Sequence, residues 1–166
     1  MAQDRKAAAG KRNIDRIDRR ILQLLQSDAR IPNTDLAKKV NLSSSPCLRR
    51  VSLLTDAGYV RMFKAVLDPI RLGFTVRAFL SIKRSRESDQ REVSSKIAAV
   101  PEVIACHVVS GEYDLLAEVV ARDMQHYAEI TLETISKIDG VYDLRSSFSI
   151  RAIKTDGDLP LGDSGA

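Results

Sequence analysis

The residues best suited to chemistry form one run, Ser43-Ser44-Ser45-Pro46-Cys47-Leu48-Arg49-Arg50-Val51-Ser52. Wound into a helix, Ser44, Ser45, Arg49, Arg50 and Ser52 fall on the side away from Cys47, Val51 and Leu54, so short hydroxyls and long guanidinium groups face outward together. An arginine can take a guanine edge bidentately or hold a phosphate, and a serine can reach phosphate or a base of either kind. An arginine pair on its own is an ordinary solvated face. Joined to a serine-rich turn and a strongly basic surrounding segment, it reads as a DNA-reading surface.

A second candidate is the turn Ser110-Gly111-Glu112-Tyr113-Asp114. Glycine lets the backbone approach a ligand, the neighbouring N–H groups can meet a carboxylate, and Asp114 can pair with an ammonium. The same five residues also make an ordinary turn between two strands, and both readings stand at this point. Arg61 and Lys64 admit two roles as well: contacts to flanking phosphates, or charges that blunt an exposed strand edge.

Other chemistry is missing from the pattern. Cys47 and Cys106 lie far apart, and with His107 and His126 they do not make zinc-ligand spacing, so no metal is expected and the thiols read as buried structural groups. His107 reads as a core or interface histidine. No nucleophile with its base, no carboxylate pair and no phosphate loop is present, so neither an enzyme nor a cofactor is expected. No stretch approaches the roughly 20 apolar residues of a membrane span, and no signal-peptide core follows Lys11-Arg12. The expected place is the cytoplasm.

Charge shows where the chemistry is divided. Residues 1–67 hold 14 Lys and Arg against 6 Asp, a net of +8, while residues 68–166 hold 12 against 16 Asp and Glu, a net of −4. A basic half beside an acidic half implies that only the first meets a polyanion. The change of sign coincides with Asp68-Pro69, a chain breaker.

The elements that must carry these residues follow from periodicity. Residues 1–12 are small and charged, and read as a disordered basic arm. Ile14, Ile17, Ile21, Leu24 and Leu25 predict a helix over 15–28 with Asp15 as its N-cap. A short second helix is predicted after Ile31-Pro32, capped by Asn33, with Leu36, Ala37 and Val40 on one face. The third helix is predicted to turn Cys47, Leu48, Val51 and Leu54 inward and to stop at Gly58. Residues 59–67 are rich in β-formers and read as a strand or wing hairpin. Three helices with a tight polar turn between the last two match helix-turn-helix geometry.

The second half alternates from Phe74 to Ile82, continues into a helix bearing Val93, Ile97 and Val100, and then gives strands over 103–109 and 115–121. A helix bearing Met124, Ala128, Thr131, Ile135 and Ile138 is predicted to end at Gly140, and a last alternating strand to cover 141–154. The order βαββαβ is the ferredoxin-like split motif. Phe79, apolar on an otherwise polar strand face, implies cover by another subunit. The expected fold is α+β in two domains: arm 1–12, winged helix-turn-helix 13–68, linker 69–73, ferredoxin-like domain 74–154, and a flexible, weakly packed tail 155–166.

These residues resemble the leucine-responsive and asparagine-operon (Lrp/AsnC, feast/famine) regulators from about Ile14 to Lys154. The likeness rests on Ile17-Asp18-Arg19-Arg20-Ile21-Leu22 with Leu24-Leu25-Gln26, on Ser43-Ser44-Ser45-Pro46-Cys47-Leu48-Arg49-Arg50-Val51, on Gly58-Tyr59-Val60, and on Cys106-His107-Val108-Val109-Ser110-Gly111-Glu112-Tyr113-Asp114. The resemblance implies that the third helix enters the major groove of double-stranded DNA. It further implies that the second domain binds an amino-acid effector and makes homodimers that build tetramers or octamers. The implied effector residues are Gly111, Tyr113 and Asp114, joined by Ser146 and Ser147 on the last strand. Relatives often carry a hydroxyl where this chain has Leu144, so leucine-like specificity does not carry over by analogy, and some carry glutamate where it has Arg49, so neither does the DNA site. Two other functions compete with an effector-modulated regulator: an architectural DNA-binding protein without effector, and an enzyme or enzyme subunit using the ferredoxin-like fold.

Overall fold

In the computed structural model the described residues are 13–162. The expected arm, residues 1–12, lies outside them, as does the end of the expected tail. The chain divides into two compact units: residues 13–66 together with 154–162, and Leu67–Ile153.

The first unit is built on three helices, α1 (Arg16–Ser27), α2 (Asn33–Lys39) and α3 (Ser44–Asp56). Asp15 caps α1 as predicted, in a reciprocal box: its carboxylate accepts from the Asp18 N–H at 2.7 Å, and the Asp18 carboxylate accepts from the Asp15 N–H at 3.5 Å. The apolar stripes of all three helices meet in one cluster of Ile21, Leu22, Leu36, Ala37, Val40, Cys47 and Leu54. Gly58 closes α3 at φ +80°, the left-handed turn that a helix C-terminus needs.

Three local expectations are corrected here. Asn33 does not cap α2; Pro32 occupies the cap with its ring-fixed φ of −59°, and the Asn33 amide donates instead to the Ser44 carbonyl at 2.8 Å, tying α2 to the start of α3. Leu48 does not point inward: it is 55% exposed, because Cys47, Val51 and Leu54 already fill the inward stripe and the next residue after Cys47 is turned about 100° away. The wing strand over 59–67 does not form. Beyond the bonds from the Tyr59 and Val60 N–H groups to Leu54, the segment has no strand facing it, and β-forming composition without a ladder partner leaves extended coil.

The second unit is a four-stranded antiparallel sheet of β1 (Val76–Arg84), β2 (Val103–Val108), β3 (Leu115–Ala121) and β4 (Val141–Phe148), in the order β2-β3-β1-β4. That is the order the βαββαβ motif predicts. Two helices, α4 (Gln90–Ala98) and α5 (Met124–Ala128), cover one face. Ala78, Leu80 and Ile82 of β1 and Leu115, Ala117, Val119 and Ala121 of β3 point into that face and meet Val93, Ile97, Tyr127, Ile130 and Ile135. The opposite face carries Phe79, 39% exposed, and the Arg77–Glu118 ion pair at 2.9 Å. His107 is exposed rather than in the core.

The last helix is not regular as expected. After α5 the backbone widens into a π-helical stretch, Glu129–Ile135, marked by the Ser136 N–H bonded to the Thr131 carbonyl. The buried Thr131 hydroxyl donates to the Tyr127 carbonyl at 2.9 Å and to that of Ala128 at 3.3 Å, competing for carbonyls an α-helical ladder would use. The closing strand ends at Phe148 and not at 154, after which Ile150 and Ile153 are fully or largely exposed.

The stretch expected as a weakly packed tail returns to the first unit. The Leu159 N–H donates to Gln26 Oε1 at 2.8 Å, Gln26 Nε2 donates back to the Leu159 carbonyl at 3.2 Å, and Gln23 Nε2 donates to the Leu161 carbonyl at 2.5 Å. A glutamine amide here serves as a one-residue strand partner, and Leu161 packs on the helical core.

Two glycines separate backbone strain from collision. At Gly140 (φ +93°) a Cβ would meet Ser88 Cβ at 2.6 Å and Val93 Cγ2 at 2.7 Å, whereas at Gly58 (φ +80°) nothing lies within 4 Å. Gly58→Ala is expected to cost about 1 kcal/mol for its left-handed φ alone, and Gly140→Ala about 2–4 kcal/mol, in denaturant melts of the full chain.

Candidate nucleic-acid interface and effector site

The outward side of α3 is set by what holds the inward side. Arg50, expected to face solvent with Arg49, folds back on α1: its Nη1 lies 2.7 Å from Asp15 Oδ2 and 2.8 Å from Asp18 Oδ1. Asp18 is buried at 1% exposure, so this guanidinium serves the capping carboxylates and leaves the DNA-facing set. Burial by itself would raise the Asp15 carboxyl, but the Asp18 N–H and the Arg50 guanidinium outweigh it and hold the group below its ordinary value. The same two carboxylates, Asp18 first, push Arg50 further up.

Arg50 apart, Ser44, Ser45, Leu48, Arg49 and Ser52 are exposed on α3, as are Pro46, Leu53 and Asp56. None of the ion pairs among the described residues includes Arg49. Arg61 and Lys64 are exposed on the coil after α3, at the rim of an apolar concavity lined by Leu22, Leu25, Phe63 and Leu161. They sit on no strand, so the edge-blunting role has no edge to act on.

In the second unit the turn after β2 brings its residues to a charged corner. Gly111 adopts φ +133°, a conformation that favours glycine. The Asp114 carboxylate accepts from the Arg84 backbone N–H at 3.0 Å and faces the Arg84 guanidinium at 3.8 Å, while Arg84 Nη1 donates to the Ser88 carbonyl at 2.6 Å. The Tyr113 hydroxyl donates to Asp143 Oδ2 at 3.4 Å, and the Arg145 guanidinium lies 5.6 Å from the centre of the Tyr113 ring. Asp143 and Arg145 were not singled out from sequence. The signal that finds them is the pairing of β1 with β4, which lines Asp143 up with Lys83 and Arg145 with Ser81.

Ser146 and Ser147 point to opposite faces. Ser146 pairs with Leu80 and accepts from the Tyr127 hydroxyl at 2.6 Å, on the helix-covered side; Ser147 pairs with Phe79 on the other. Burial raises the Tyr127 phenol, and the hydrogen bond to Ser146 offsets part of that. The structure thus sets Asp114 against Arg84 and Tyr113 against Asp143 and Arg145, and divides the two serines between faces. Among the described residues no group of three or more His, Cys, Asp and Glu is arranged to hold a metal, and no helix is long and apolar enough to cross a membrane.

The comparisons with known proteins also give two parts. A family model for the winged helix-turn-helix DNA-binding domain matches residues 14–61, and one for the Lrp/AsnC ligand binding domain matches residues 76–159. A helix-turn-helix with an exposed serine and arginine face, followed by a ligand-binding α+β module, defines a DNA-binding transcription regulator. The leucine-responsive regulatory protein of Klebsiella pneumoniae is 36% identical over 153 residues, covering 91% of this chain and 93% of that one, and its Escherichia coli counterpart is 35% identical over the same span. The chain belongs to the Lrp/AsnC family of transcription regulators.

Solved structures agree. A transcriptional regulator from Neisseria meningitidis in complex with L-methionine has a TM-score of 0.86 at 36% identity, covering 90% of this chain and 97% of that one. An AsnC family regulator from Agrobacterium tumefaciens has a TM-score of 0.82 at 37% identity, over 89% and 97% of the two chains.

The pairing of Arg50 makes a clear expectation. Arg50→Met is expected to destabilise the first unit by about 2–4 kcal/mol, read as faster hydrogen exchange of α1 and α3 amides, while Arg49→Ala changes it by less than about 0.5 kcal/mol. Because the folded-state pKa of Asp15 is depressed, its contribution is full above the ordinary carboxyl value near 4 and is lost as pH falls through the lower folded value. Protection factors in α1, with the intrinsic pH dependence of exchange divided out, are therefore expected to fall below about pH 4 in the wild type, with a flatter response in Arg50→Met.

Proposed function

We propose that this regulator binds specific double-stranded DNA sites through Ser44, Ser45, Arg49 and Ser52 of α3, with Arg61 and Lys64 on flanking phosphates, and that a small amino acid modulates its binding or assembly. The observation that carries the DNA part is the exposed α3 face, whose one guanidinium without a carboxylate partner is Arg49. Arg50 leaves the set because both of its contacts are internal.

The effector part rests on the residues around Gly111: Asp114 with the Arg84 N–H and guanidinium, and Tyr113 with Asp143 and Arg145, groups of the kinds that hold the two charges of a zwitterion. Methionine is the first ligand to try, since the relative from Neisseria was solved with it. Asp114 in this reading positions Arg84 as well as meeting an ammonium. Of the two serines, Ser147 lies on the open face and Ser146 acts through Tyr127. The open face bearing Phe79 is the surface through which two copies pair into a homodimer and then a larger homo-oligomer, and the protein works in the cytoplasm. A ligand changes such a protein only by its differential affinity for two states.

A thermal-shift screen against the twenty standard amino acids tests the effector. At least one, methionine first, is expected to raise the melting temperature, because a ligand that binds only the folded form stabilises it. Asp114→Ala is expected to melt cooperatively, to bind DNA as before and to show no shift. Silence across all twenty with DNA binding intact favours an architectural protein. Arg49→Ala is expected to weaken binding to a selected duplex about 10- to 100-fold more than to random sequence; equal loss on both restricts Arg49 to phosphate.

A further inference from the structure

One residue set among the serines and the arginine of α3 brings no hydrogen-bonding group to that face. Leu48 is 55% exposed and stands in the middle of that face, one helical turn after Ser44 and Ser45, one before Ser52, and beside Arg49. Its neighbours all bring hydroxyls or a guanidinium, groups that can hold a phosphate or a base edge. Leucine can do neither. It is also absent from the apolar cluster that α3 makes with its own unit.

The major groove offers one apolar feature among its base edges, the C5 methyl of thymine. A helical turn rises about 5.4 Å against about 3.4 Å per base pair, so Ser45, Leu48 and Ser52 span about three base pairs when α3 lies along the groove. We propose that Leu48 is a specificity-determining residue that packs on a thymine methyl within that span, next to the base pair or phosphate taken by Arg49. The proposal rests on the reading of α3 as the DNA-reading helix. It differs from that reading in assigning selection at one base pair to apolar contact rather than to a hydrogen bond.

Uracil differs from thymine only by the methyl, which isolates the contact. Duplexes enriched from a random library by the full-length wild type are resynthesised with uracil replacing one thymine at a time. One position is expected to weaken wild-type binding about 3- to 5-fold, the factor for one buried methyl. Leu48→Ala, which keeps a strong helix former at an exposed site, is expected to bind the thymine duplex more weakly and to bind its uracil counterpart at that position equally well.

Two results overturn the proposal while leaving α3 as the reading helix. In one, enrichment succeeds but no uracil position matters to the wild type. In the other, the losses from Leu48→Ala and from uracil multiply as independent effects. If no sequence is enriched and Arg49→Ala binds as the wild type does, the reading of α3 itself fails and takes this proposal with it.

Discussion

The first unit depends on one guanidinium held between two carboxylates. Asp15 and Asp18 open α1 with a reciprocal cap, and both also accept from Arg50, which reaches them from the middle of α3. A cap that satisfies the first orphan N–H groups of one helix thereby fixes the rotation of another. Once Arg50 is committed inward, the neighbouring side chains have no freedom left: Cys47, Val51 and Leu54 enter the core, and Ser45, Leu48, Arg49 and Ser52 must face out. Asp18 is nearly without solvent, so the pairing is also what makes its burial tolerable.

The second unit works by a different rule. Its sheet has one face closed by helices and one carrying charged pairs and an aromatic ring, so adjacent residues on a strand belong to different environments. That is why Ser146 and Ser147, adjacent in sequence, cannot line one wall. It is also why β4 offers Tyr113 two partners at once: Asp143 and Arg145, two apart, share a face across the β1 register.

Local signals were legible in the sequence. The Asp15 cap, the stop at Gly58 and the alternating strands each depend on residues within a few positions, and the strand order followed from the βαββαβ succession; the last helix, expected to run to Gly140, ends at Ile135. What was not legible depends on partners distant in the chain. Leu48 looked apolar and therefore inward, but only the packed stripe shows that the inward places were taken. Arg50 looked like a twin of Arg49 until α1 came within reach. The segment after Gly58 had the composition of a strand and no strand to pair with. The widened helix at 129–135 follows from one hydroxyl competing for main-chain carbonyls, a choice that periodicity does not encode.

The return of residues 154–162 to the first unit makes the second unit an insertion within it: the chain leaves the helical unit near Val66, forms the whole sheet, and comes back near Lys154. During synthesis, which proceeds at about 5–20 residues per second, the three helices emerge first but Gln23 and Gln26 wait for Leu159 and Leu161 until the sheet has been made. The helical unit that starts the chain is therefore finished last, and its last hydrogen bonds report that the intervening domain has been threaded through.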